Sequence, residues 1–124
     1  MAMREESRRP FPAAGAVDSY LVVSLSNGKI DACASNAKPL GATTSPAREA
    51  GDLIAVRLLN TDGTMEIQAT GAVTAGADVV LAGAGKIKAD PGNGVRTLIG
   101  MALTAVSDGG VVEVIPYGYN HNLS

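Results

Sequence analysis

The chain has 124 residues, ten basic and twelve acidic side chains and a formal charge of −2. That length implies one domain rather than two with separate cores, and that charge excludes nucleic-acid binding driven by the whole surface. Hydrophobic residues at 46% and charged residues at 18% exclude a disordered polyelectrolyte, while 3% aromatics, no Trp and one Phe leave the core to Val, Leu, Ile and Ala.

Residues 1–18 (MAMREESRRPFPAAGAVD) crowd charges at the front, flank Phe11 with Pro10 and Pro12, and show no periodicity, which predicts an extended arm. A single β domain is expected over 19–117, made of short apolar runs between Gly, Asn and Asp. Ser19–Ser26 reads as a strand that turns at Asn27-Gly28 into Lys29–Cys33, a hairpin signal. The stretch 34–51 is rich in Ala, Ser, Thr and Pro, with room for one helical turn over Ser45–Gly51. Asp52–Leu59 alternates so that Ile54, Val56 and Leu58 share a face. A second hairpin is expected through Asn60–Gly63 into Thr64–Ala69, with Met65, Ile67 and Ala69 inward.

Asp78–Ala82 and Lys86–Ala89 predict short edge strands, with Lys as the protective charge. Thr97–Val106 and Val111–Pro116 flank Ser107–Gly110 as a third hairpin, the first run favouring strand over helix because Gly100 weakens a helix. A polar tail, 118–124, is expected to be flexible. Gly41-Ala42-Thr43 before Ala50-Gly51-Asp52 is faintly echoed by Gly71–Thr74 before Ala75–Asp78, but two copies make no solenoid. The whole predicts an all-β fold, a small barrel or sandwich of about eight short, mostly antiparallel strands.

Chemistry is sparse. Cys33 is the single cysteine, which excludes an intrachain disulfide, a CxxC pair and a cysteine zinc site, and leaves a buried apolar thiol. His121 is the single histidine and lies in the tail, so no Ser-His-Asp or Cys-His device is expected. Asp31, Asp62, Asp90 and Asp108 stand at turns, where carboxylates bond turn backbone. Gly83-Ala84-Gly85 and Gly92-Asn93-Gly94 lack the Lys-Ser/Thr of a phosphate loop. No catalytic residue, cofactor or metal is expected, and the chain is not expected to be an enzyme. No apolar run reaches a membrane span and the first twelve residues lack a signal peptide's apolar stretch, so no membrane partner and synthesis in a cytoplasm are expected. Asn122-Leu123-Ser124 is a sequon by chance. Arg4, Arg8 and Arg9, interleaved with Glu5 and Glu6, and Phe11 held between prolines are the candidate contacts to a partner protein.

From Gly41 to Pro116 the chain resembles the small capsid cement, or decoration, proteins of tailed bacteriophages. The resemblance lies in the order of Gly41-Ala42-Thr43, Ala50–Ile54, Gly71–Gly76, Gly85-Lys86-Ile87, Ile99–Leu103 and Gly109–Val114. The family more often places Asp directly after the glycine at Gly76, so Ala77-Asp78 predicts a one-residue shift or bulge. The resemblance implies a virion protein on the outer surface of the head. It would bridge major capsid protein subunits against internal DNA pressure as a homo-oligomer, a trimer ahead of a dimer. Arg4, Arg8, Arg9 and Phe11 would then be capsid-binding residues. Ile99, Met101 and Leu103 on one side and Leu98 on the other exceed a narrow core, which points the strand faces toward self-association. The competing expectation is a head-fibre or surface adhesion module for glycans or host components, with Tyr20, Tyr117 and Tyr119 as its aromatic supply.

Overall fold

The computed structural model describes residues 8–35, 37–59, 63–117 and 122–123. Asn27 and Gly28 take the left-handed backbone, with φ of 52° and 76°, that a two-residue hairpin needs to match the twist of its strands. They join β2 (Val22–Ser26) to β3 (Lys29–Ala32), with Leu25 opposite Ile30. β4 (Gly41–Thr43) pairs with the other side of β2, β5 (Leu53–Leu58) with β4, and β1 (Arg8–Pro12) with β5. The order is therefore β1-β5-β4-β2-β3. The sheet curls until its edges meet, because Ala13 just past β1 bridges Ile30 of β3 in parallel, and a small barrel results.

The second half repeats the first strand for strand. β6 (Met65–Gln68), β7 (Asp78–Gly83), β8 (Lys86–Ala89), β9 (Arg96–Ala102) and β10 (Val111–Pro116) take the order β6-β10-β9-β7-β8, and Ala69 bridges Ile87 as Ala13 bridges Ile30. A short β11 (Asn122–Leu123) adds to β9. The irregular connections match as well. Val17 and Ala47 exchange backbone hydrogen bonds of 2.9 and 2.8 Å, and Val73 and Val106 exchange two of 2.9 Å. The Tyr20 N–H donates to the Thr43 carbonyl as the Gly76 N–H donates to that of Ala102, and the Leu59 and Tyr117 N–H groups donate to Leu40 and Ile99. Leu25 thus corresponds to Leu81, Gly41 to Gly100 and Leu59 to Tyr117, across separations of 56 to 59 positions.

Each barrel carries its own filling. Phe11, Ala13, Val17, Ile30, Ile54 and Val56 form one buried cluster, and their counterparts Ile67, Ala69, Val73, Ile87, Val112 and Val114 lie in the other. Each buried aliphatic side chain contributes about 1.5–3 kcal/mol relative to exposure. Val22, Cys33, Ala42 and Leu59 of the first half join the second cluster and fasten the barrels together. Three backbone hydrogen bonds cross the same junction: Val22 N–H to the Gly85 carbonyl (2.7 Å), Gly85 N–H to Cys33 (2.9 Å) and Gln68 N–H to Tyr20 (2.7 Å).

The all-β fold is as expected from the sequence, including a strand over the ambiguous run at Thr97 and an inward Met65 and Ile67. Other expectations give way. β5 and β6 do not pair as the hairpin expected through Asn60–Gly63, whose first three residues lie outside the described residues, because they belong to different barrels and pair with β1 and β10. Of the arm expected over 1–18, residues 1–7 lie outside the described residues, and from Arg8 onward the chain is bound into the first barrel, where Phe11 is only 8% exposed. Pro10 and Pro12 are tolerated there because β1 has a single strand neighbour in the sheet order, β5. The helical turn over Ser45–Gly51 is replaced by an irregular turn in which Arg48 and Glu49 N–H groups donate to the Asp52 carboxylate, at 2.9 and 3.2 Å. β7 is interior rather than an edge, and the expected bulge falls later, at Val79–Val80 against β9 and Leu81–Gly83 against β8. The true repeat of Gly71-Ala72-Val73 is Gly15-Ala16-Val17, not the echo at Gly41, and the single domain expected from length is built from two copies of one unit. In the expected tail, 118–121 and 124 lie outside the described residues, whereas Asn122 and Leu123 pair with β9.

Candidate functional site

β1 carries three of the four candidate contact residues. Arg8 and Arg9 stand opposite Arg57 and Val56 of β5, while Arg4 lies outside the described residues. Phe11 stands opposite Ile54 and packs inward, so the ring expected to anchor a partner is the largest side chain in the first barrel's own core.

Two recesses follow the junction. The first holds about 130 Å³ and brings Tyr20 and Arg57 of the first barrel to Thr64, Glu66 and Glu113 of the second. Thr64 Oγ1 donates to Glu113 Oε2 at 2.6 Å, and Glu66 stands opposite Glu113 across the β6–β10 pair. That volume lies below the range of about 300–1,000 Å³ that ligand pockets occupy. The second holds about 530 Å³ between Ser35 of the first half and Leu81, Lys88, Val95, Arg96 and Thr97 of the second. Its guanidinium is committed: Arg96 Nε donates to Asp90 and a terminal nitrogen donates to the Gly94 carbonyl at 2.9 Å. The Gly92 N–H and then Arg96 hold the Asp90 carboxyl below the usual range. Cys33 is fully buried, and burial pushes its thiol up to about 11. Among the described residues no three His, Cys, Asp or Glu side chains stand together as metal ligands would.

What the outside offers is contact area. Leu53 on β5 is 71% exposed, and its counterpart Val111 on β10 is also exposed, as are Ile115 and Leu103 on the same half. Ile115 stands opposite the half-buried Met101 in the β9–β10 pair, and of the four side chains expected to exceed a narrow core Ile99 is fully buried, Leu98 and Met101 are half-buried and Leu103 is exposed. Charge is divided: 8–59 carries six basic and four acidic residues, a net +2, and 64–117 carries three basic and five acidic, a net −2. The residue that sequence reading missed altogether is Leu25, an exposed apolar side chain at a hairpin tip, visible only once its counterpart Leu81 is found buried.

These features define an all-β protein built as two tandem five-stranded barrels joined through an apolar junction. The crystal structure of the head fiber gp8.5 N base in bacteriophage phi29 shares this fold, with a TM-score of 0.70 and 20% sequence identity over 88% of this chain and 93% of that one. No family model matches the chain, and no curated protein is similar to it in sequence.

Proposed function

We propose that this chain is a bacteriophage capsid decoration protein, one that binds the outer surface of the head, bridges major capsid protein subunits and stabilises the shell against internal DNA pressure. The observation that carries this reading is the shared fold with the base of a phage head fibre over nearly the whole chain, joined to the ordered cement-protein phrases between Gly41 and Pro116. The physics is that of added contact area: a stiff aliphatic body with exposed Leu53, Val111 and Ile115 repeats modest contacts by symmetry, and avidity multiplies them. It works as a homo-oligomer, a trimer ahead of a dimer, without catalysis or cofactor. Its place is the virion exterior after synthesis in the host cytoplasm. Arg4, Arg8 and Arg9 remain the contacts proposed for the shell, and Phe11 is withdrawn to the core.

The neighbour's description favours a second reading, in which the chain is the base of a head fibre or adhesion module that carries or contacts something beyond the head. One experiment separates the two. Heads of the phage that encodes the protein, prepared without it, are heated with and without the purified chain while DNA release is followed. The cement reading predicts release at a higher temperature once the chain has bound. Binding with no change in the release temperature supports the fibre-base reading, and no binding contradicts both.

A further inference from the structure

The contact between the two barrels is head-to-tail. The β7–β8 hairpin of the second barrel sits on the start of β2 in the first, where Gly85 both accepts from Val22 and donates to Cys33, at 2.7 and 2.9 Å. A Cβ on Gly85 would come within 2.7 Å of the Val22 carbonyl oxygen, and Leu81 beside it shares a buried cluster with Val22, Cys33 and Leu59. When two like units meet through different patches, one copy of each patch is left unmatched at the ends.

Both unmatched patches reach the surface, Asp90 of the second being half-buried and held by Arg96 and the Gly92 N–H. On the first barrel, Leu25 corresponds to the buried Leu81 but is 46% exposed, and a Cβ on Gly28, the counterpart of Gly85, would meet nothing within 4 Å. On the second, Asp78, Asp90 and Tyr117 take the places of Val22, Cys33 and Leu59, and the Tyr117 hydroxyl donates to the Asp78 carboxylate at 2.8 Å.

We propose that a second copy of this chain covers them: the Leu25–Lys29 hairpin of one copy docks on the Asp78–Asp90–Tyr117 edge of the next, repeating between chains the junction made within each. Charge agrees, because the barrel that offers the hairpin, with Lys29 at its end, carries net +2, and the barrel that receives it carries net −2. The change from Val, Cys and Leu to Asp, Asp and Tyr also fits, since a patch that meets water before assembly cannot be as apolar as one covered on folding. Such contacts build closed rings or filaments, never a two-fold dimer. This deepens the self-association in the proposed function and rests on none of its head-binding part.

The test uses the full chain in light scattering coupled to size exclusion, with thermal melting of each variant as the fold control. Wild type forms assemblies of more than two copies. Leu25→Asp and Asp78→Lys each reduce it to monomer at little change in melting temperature, and an equimolar mixture of the two forms dimers, because each variant keeps the patch that the other has lost. If Leu25→Asp does not fold, Lys29→Glu on the same hairpin takes its place in the mixture. A monomeric wild type, a two-fold dimer, variants that assemble like wild type, or a mixture that stays monomeric would overturn the proposal. Because no heads are present, the result is independent of whether the protein binds them.

Discussion

Gly41 and Gly100 occupy the same position in the two barrels and are held against a carbonyl oxygen in the same way. A Cβ on Gly41 would lie 2.1 Å from the Arg57 oxygen, and one on Gly100 would lie 2.0 Å from the Ile115 oxygen. Both belong to central strands, β4 beside β5 and β9 beside β10, so the clash is with backbone that cannot turn away. Gly41→Ala and Gly100→Ala are each expected to destabilise the chain by about 3 kcal/mol or more, read from urea denaturation midpoints. Tolerance at both positions would mean that the strands are not this close.

Phe11 supplies the first barrel with the bulk that Ile67 supplies to the second. Phe11→Ala is expected to cost about 3–5 kcal/mol. Deletion of the first twelve residues removes β1 entirely and lowers the melting temperature sharply, whereas an arm lying free of the domain would leave it unchanged. Differential scanning calorimetry of the truncated and full chains decides between them.

Ala84 has φ of 52°, a left-handed conformation that costs an ordinary side chain about 1–2 kcal/mol, at the hairpin position where the first barrel carries Asn27. Ala84→Asn places the favoured turn residue there and is expected to stabilise the protein by about 1 kcal/mol, with a correspondingly higher melting temperature.

The same hairpins show how much the sequence discloses. Alternation at Met65 and Ile67 and the Asn27-Gly28 pair are local signals, and the strands and turn they announce are present. Pairing is not local. Asn60–Gly63 has the composition of a hairpin turn, yet the strands on either side of it belong to two barrels, and the pairs they enter, β1–β5 and β6–β10, meet across some forty residues of chain. β1 escaped notice because Pro10 and Pro12 break any alternation and Phe11 reads as an exposed anchor when no partner strand is in view. The repeat escaped because Gly15-Ala16-Val17 and Gly28-Lys29-Ile30 recur at separations that differ by one, and Gly41 recurs at a third, so no fixed period survives. Contact surfaces leave still less trace: Arg8 and Arg9 are visible as charges, but the importance of Leu25 exists only in relation to Leu81.

Cys33 sits fully buried at the barrel junction, and burial raises its thiol from an ordinary 9.0 to about 11. A group whose folded value is raised contributes stability that is whole below the unfolded value and is lost as pH rises through the folded one. Stability attributable to Cys33 is therefore expected to be intact below about pH 9 and to fall as pH approaches 11, and Cys33→Ala should remove that part of the decline. At pH 8 an aromatic disulfide reagent is expected to label the thiol only as fast as the protein opens, and prompt labelling of the folded chain would contradict the burial.

The claim that the chain decorates a phage head is tested most directly by sedimenting heads prepared without it together with increasing amounts of the purified protein. The chain is expected to pellet with the heads and to saturate at a fixed ratio to major capsid protein. A chain that stays in the supernatant at every concentration would contradict it.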